Sequence, residues 1–226
     1  MKAGGSSEST FVRGVCVLWN TRAVSGLRTV VFDVGGVLID ADYRLLCRKF
    51  FDGDAEVEFF LAEVLGAEFH HQRDRGVPMA DTAAEWSLRH PDYESVIHGF
   101  CDRFPEMWRG PVSGSPELLA DLKAARVGIY GLTNWGSETW PLACERFPFL
   151  DSLDGVLVSS EVGITKPDPE IFQTFCARFG VTPEESVFID DVVQNVTAAR
   201  SLGFHGIVFT DADELRNDLI RCGSLE

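Results

Sequence analysis

The chain has 226 residues, 45% of them hydrophobic and 24% charged, with a formal net charge of −15. That is apolar material for one large domain, or for a core with a modest insertion. The 35 acidic residues against 20 basic ones, with no Lys/Arg stripe, argue against nucleic acid and anionic membrane as partners; an anionic substrate would need its positive charge supplied locally.

Residues 1–27 open with "MKAGGSSEST" and are read as a poorly specified extension whose place is an edge of the fold. Its apolar run "VCVLW" (15–19) is far too short to span a bilayer and lacks the make-up of a signal peptide. The six cysteines contain no C-x-x-C pair, which favours reduced thiols and a cytoplasmic location over a metal cluster.

The first strand signal is "TVVFDV" (29–34). It runs into Asp33 and then into the pair Gly35 and Gly36, a turn suited to small residues. Residues 41–111 read as amphipathic helices, among them "YRLLCRKFF", "EVEFFLAEVLG", "MADTAAEWSLRH" and "YESVIHGFCDRFPEMW", separated by turn signals at Gly53, Gly66, Gly76 and Pro91. They contain no β run of useful length, so this stretch is an all-helical insertion, with Trp86 and Trp108 buried inside it.

After it, "SPELLADLKAAR" (115–126) has a serine cap, a proline in its first turn and Leu118, Leu119 and Leu122 on one face. Next come the strand "VGIYGLTN" (127–134), ending on Thr133 and Asn134, and the strand "GVLVSS" (155–160), followed by a loop carrying Lys166. Trp135 and Trp140, just beyond Asn134, are assigned to core or insertion packing. The helix "DPEIFQTFCARFG" (168–180) stops at Gly180. The strand "SVFIDD" (186–191), the helix "NVTAARSLG" (195–203) and the strand "HGIVFT" (205–210) complete the series. The five strand runs are near-continuously apolar, as parallel strands covered on both faces are. Alternation with helices predicts an α/β fold: a doubly wound, Rossmann-like parallel sheet built from residues 28–40 and 112–226.

In such a sheet, ligands bind beyond the carboxyl ends of the strands. Asp33, Thr133, Lys166, Asp190 and Asp191 all fall there. Singly, each has an ordinary explanation as a turn residue, a helix cap or a solvated loop charge. Jointly, they supply hard oxygen ligands suited to Mg²⁺, a hydroxyl donor and a cation, which is nearly the full inventory for phosphoryl transfer. An aspartate can also act as the nucleophile.

With these residues in place, residues 28–212 resemble the haloacid dehalogenase superfamily of hydrolases. Asp33 in "FDVGGVL" matches the nucleophile motif, Thr133 in "GLTN" the second motif and Lys166 in "ITKPDPEIF" the third. Asp190 and Asp191 in "FIDDVVQNV" match the acidic metal motif, with Asn195 one turn on. The resemblance makes the helical insertion a cap that closes over the site. It implies a Mg²⁺-dependent phosphatase of a small phosphorylated metabolite, such as a sugar phosphate, working through an aspartyl-phosphate on Asp33. Asp33, the backbone carbonyl of Gly35, Asp190 and Asp191 would hold the metal. Asn134, Gly36 and His70 would contact phosphate or substrate, in a monomer or weak dimer.

One position departs from the pattern. Phosphatases of this superfamily carry a second aspartate two residues after the nucleophile, as general acid; here it is Gly35. A dehalogenase needs no such acid, but usually has a bulky aromatic there and no need of a metal. A catalytically inactive interaction module is the third reading. If the protein is a phosphatase, either its substrates have good leaving groups or the cap supplies the proton, with "EFHHQRDRG" (68–76) offering His70, His71 or Asp74.

Overall fold

The computed structural model describes residues 27–225; all but the last residue of the expected N-terminal extension lies outside the described residues. Its strands are β1 (Thr29–Phe32), β2 (Ile39–Ala41), β3 (Trp108–Pro111), β4 (Gly128–Thr133), β5 (Gly155–Val158), β6 (Ser186–Asp190) and β7 (His205–Val208). β1 and β4–β7 form a five-stranded sheet in the order β5-β4-β1-β6-β7, every pairing parallel. Val30, Val31 and Phe32 of the central strand are fully buried, as a strand covered on both faces must be. The chain leaves β1 for one side of the sheet and returns to the other side through β6. The crevice beyond the carboxyl end of β1 is therefore the topological switch point where ligands collect.

Each predicted strand overruns the observed one at its carboxyl end. The ladder stops at Phe32, Thr133, Val158, Asp190 and Val208. The overrun contains Asp33, Asn134, Ser159 and Asp191, whose backbones turn away from the sheet to present side chains.

Residues between the first two sheet strands form the cap: α1 (Tyr43–Cys47), α2 (Asp54–Phe59), α3 (Gly66–Asp74), α4 (Met79–Arg89) and α5 (Glu94–Asp102). A π-helical turn, Phe60–Leu65, joins α2 to α3 at Gly66, which has φ of +62°. Trp86 and Trp108 are buried here, and the Trp86 indole donates to the Leu65 carbonyl at 3.0 Å. The expectation of an all-helical insertion needs correction. β2 and β3 pair antiparallel where the chain enters and leaves the cap, Ile39 opposite Pro111 and Asp40 opposite Gly110. Three or four residues rich in Asp, Arg, Gly and Pro carry no apolar period, so the ribbon leaves no sequence signal.

The sheet is flanked by α6 (Ser115–Ala124), α7 (Trp140–Arg146), α8 (Ser159–Val162), α9 (Pro169–Phe179), α10 (Val193–Ser201) and α11 (Ala212–Arg221). Among the described residues, no helix is long and apolar enough to cross a membrane.

Candidate active site

Strand register assembles the acidic cluster. Phe32 pairs with Ile189, and the Asp33 amide donates to the Ile189 carbonyl at 2.8 Å, which sets Asp33 level with Asp190 on the neighbouring strand. Both carboxylates are buried. Two buried like charges side by side need a cation between them, and Lys166 provides it. Its Nζ lies 2.9 Å from Asp33 Oδ1 and 2.7 Å from Asp190 Oδ2. Burial disfavours the Lys166 ammonium, but Asp33 and Asp190 together hold its pKa above the ordinary value. At Asp33, burial dominates and pushes the carboxyl up to about 7 against the pull of Lys166.

Asp190 is fully engaged. Oδ1 accepts from the Val192 amide at 2.8 Å, and Asn195 Nδ2 donates to both oxygens at 3.0 Å. Asn195, one turn into α10, therefore fixes the carboxylate that fixes Lys166. Asp191 is exposed, and burial of its surroundings together with Asp190 raises its pKa. One oxygen from each of Asp33, Asp190 and Asp191 lies within 4.8 Å of the others, a hard-oxygen set of the kind Mg²⁺ accepts.

The glycine pair divides its work. Gly36 has φ of +78°, and a Cβ there would stand 2.5 Å from Asp191 Oδ2. Only glycine leaves that carboxylate its position. Its amide, expected near phosphate, donates to the Ile39 carbonyl at 2.9 Å within the turn. A Cβ at Gly35 would meet nothing closer than the Trp135 ring at 3.7 Å, so the missing side chain there is not enforced by crowding.

Thr133 ends β4 with its Oγ1 buried and, among the described residues, without a hydrogen-bond partner. An orphaned buried hydroxyl is costly unless a ligand oxygen meets it. At Asn134, Oδ1 accepts from the Lys166 amide at 2.8 Å and Nδ2 donates to the Lys166 carbonyl at 3.0 Å. The side chain clasps the lysine's backbone with Oδ1 and one hydrogen of Nδ2.

Next to this cluster, a cavity of about 110 Å³ between core and cap is lined by Gly35, Asn134 and Trp135 of the core and by Tyr43, His70 and Asp74 of the cap; Asp33, Thr133, Lys166, Asp190 and Asp191 do not line it themselves. α3 forms one wall, since His70, Arg73 and Asp74 share a face at i, i+3 and i+4. His70 stacks on Tyr43 with ring centroids 4.6 Å apart. Burial, reinforced by Arg73, pushes its pKa down to about 4, so it is a neutral ring in the cavity wall. His71 lies on the other side, in a separate groove with Arg75. Burial pushes Asp74 up to about 6, partly offset by Arg73 and Lys166. Trp135, assigned to packing, both packs against Trp108 and Trp140 and walls the cavity. Arg73, Tyr43 and Phe104 carried no signal in the sequence; they converge from three cap segments.

A family model described as haloacid dehalogenase-like hydrolase matches residues 27–203. A D-ribitol-5-phosphate phosphatase from Bacteroides thetaiotaomicron is 24% identical over 209 residues, covering 85% of this chain and 97% of that protein. A (S)-2-haloacid dehalogenase from Burkholderia cepacia is 28% identical over 81% of this chain and 83% of its own. Other relatives are matched only in part: a sesquiterpene phosphatase from Aspergillus oryzae is 30% identical over 45% of this chain, which spans 52% of that protein. A magnesium complex of a Bacteroides thetaiotaomicron enzyme superposes with a TM-score of 0.70 at 23% identity, covering 87% of this chain and all of that one, and so shares the fold.

Proposed function

This chain belongs to the haloacid dehalogenase-like hydrolases, and from that premise we propose that it is a Mg²⁺-dependent phosphatase of small phosphate monoesters using Asp33 as nucleophile. One observation carries the reading: Lys166 is buried between Asp33 and Asp190, with Asp191 beside them. Dehalogenation has no use for that third carboxylate.

Mg²⁺ would be held by Asp33, Asp191 and the Gly35 carbonyl, with the already bonded Asp190 fixing Lys166 beside them, and would supply charge neutralisation for the phosphoryl oxygens. Asp33 attacks phosphorus; its oxygen forms the new P–O bond as the ester P–O bond breaks, leaving an aspartyl-phosphate. The orphaned Thr133 hydroxyl donates to a non-bridging oxygen and Lys166 offsets the remaining charge. The leaving alkoxide needs a proton that position 35 cannot give.

We assign that proton to Asp74. Its carboxyl shares the cavity with Gly35 and is protonated at a pH where ordinary aspartates are not. His70, neutral above about pH 4, has no readily given proton. Once ionised, Asp74 takes a proton from the water that attacks the aspartyl-phosphate, releasing phosphate and restoring both carboxyls.

Phosphate release measured with Mg²⁺ and with excess chelator tests the reading. Asp33→Asn is expected to abolish turnover with the fold intact, and chelator to do the same to the unaltered protein. Asp74→Asn should slow alkyl esters ~10²–10⁴-fold and aryl esters far less. Full activity in chelator, with halide released from 2-haloacids, would establish dehalogenation instead.

A further inference from the structure

The cap side of the cavity carries a charge that this chemistry leaves unused. Arg73 is 5% exposed, yet among the described residues its guanidinium has no ion-pair or hydrogen-bond partner; Tyr43 first, then Cys101, Asp74 and Glu138, act on it without a bonded contact. Glu138 is occupied elsewhere, accepting from the Met79 amide at 2.6 Å. The guanidinium sits over the Phe104 ring, 4.0 Å from its centroid, with Phe69 at 5.9 Å. Nη2 faces the glycine at 136, where a Cβ would stand 3.6 Å away.

Burying a cation without a partner is expensive, and burial does pull this guanidinium below its ordinary pKa. Arginine stays charged regardless. A second donor is stranded nearby: Trp135, whose ring walls the same cavity, has a buried Nε1 with no acceptor. A largely buried guanidinium without an ion-pair partner and a buried indole donor without an acceptor, in a chain of net charge −15, suit a place that is completed by an anion.

The geometry points to Arg73 as a specificity-determining residue that reads a small anionic group, a carboxylate or a second phosphate, on the leaving group of the substrate. The planar fork of a guanidinium suits either oxyanion. A cavity of about 110 Å³, small beside the ~300–1,000 Å³ of pockets for drug-sized ligands, favours a compact leaving group. This inference rests on the phosphatase reading above for the word "substrate", but the binding it describes can be measured without turnover.

Two matched pairs make the test: 2-phospholactate against isopropyl phosphate for a carboxylate, and 1,3-propanediol bisphosphate against propyl phosphate for a second phosphate. The unaltered protein is expected to prefer the charged member of one pair by ~10²-fold in kcat/KM, the worth of a charged hydrogen-bonded contact. The pair that shows the preference identifies the anion. Arg73→Met should bring the ratio towards one, chiefly through KM, and Arg73→Lys, which keeps the charge but not the fork, should retain part of it. Calorimetric titration of the same four esters into Asp33→Asn protein reads binding alone. If no ester is hydrolysed while that protein still binds a charged member ~10²-fold tighter, the phosphatase reading falls and the anion site stands. No preference in either pair, in turnover and in binding, overturns the inference; so does a preference that survives Arg73→Met or Arg73→Lys undiminished.

Discussion

At Asp74 the fold holds a carboxyl where ionising it is costly. Its pKa of about 6 exceeds the 3.8 of an ordinary aspartate because of burial, with Arg73 and Lys166 opposing. The folded chain therefore binds this proton more tightly than the unfolded one. Stability from the group is complete below about pH 3.8 and is lost as pH rises through 6. Asp74→Asn, which cannot ionise, is expected to melt higher than the unaltered protein at pH 7–8, by roughly 2–4 °C, or about 1 kcal/mol at this chain length once partial exposure is allowed for. The gap should close towards pH 4. A variant that is both more stable and slower on alkyl esters is the signature of a strained functional group; melting curves at the two ends of that pH range check it, and a constant gap would remove Asp74 from the role. The sequence offered Asp74 only as one of three donors in "EFHHQRDRG". Choosing among them took burial: His70 faces the cavity but is held neutral, and His71 faces away. Asp33 and Asp190 were legible earlier because each sits at the end of an apolar run, and Lys166 because it lies in the loop beyond another. The fates of Asn134 and Gly36 were not, since which donor a backbone group has already taken is a fact of three dimensions.

Among the elements, α3 has the most exacting placement. It must hold Arg73 and Asp74 over a floor that belongs to another part of the chain, and one hydroxyl ties the two together. Ser159 Oγ, at the end of β5, accepts from the Trp135 amide at 3.1 Å and donates to the Asp74 carbonyl at 2.6 Å. The turn that follows α3 fits closely too: a Cβ at Gly76, φ +94°, would stand 2.8 Å from the Ser160 carbonyl. Ser159→Ala leaves the buried Trp135 amide and the Asp74 carbonyl without that partner. The expected cost is ~1–3 kcal/mol of stability, with kcat/KM lowered about tenfold as Asp74 loses its position. Denaturant unfolding and steady-state kinetics read the two effects; an unchanged kcat/KM would mean that α3 is held by its apolar contacts alone. The sheet strands and α4, α5, α6 and α9 announced themselves through apolar periodicity. α3 did not, because polar residues such as Glu68, His71 and Gln72 interrupt any stripe, and a helix that lines a cavity has little use for one. The ribbon of β2 and β3 was too short to register at all.

Across the whole molecule, a net charge of −15 surrounds a site that must attract anions. Lys166 and Arg73 are buried, so they act at contact distance while the surface field acts at long range. The two have opposite signs for an approaching phosphate ester. Screening separates them, because the Debye length falls from about 30 Å at 0.01 M salt to about 8 Å at 0.15 M. Raising NaCl over that range at fixed Mg²⁺ should therefore increase kcat/KM several-fold for phosphate esters, the reverse of the usual loss in a positively steered enzyme. The slope should be steeper for 2-phospholactate than for isopropyl phosphate, since the former brings one more negative charge through the same field. Neither contact with a buried cation should weaken much, as desolvated pairs are poorly screened. A fall in kcat/KM with salt would show that the field at the cavity mouth is already positive. The acidic surface would then be arranged away from the entrance, and approach as well as contact would favour the anion.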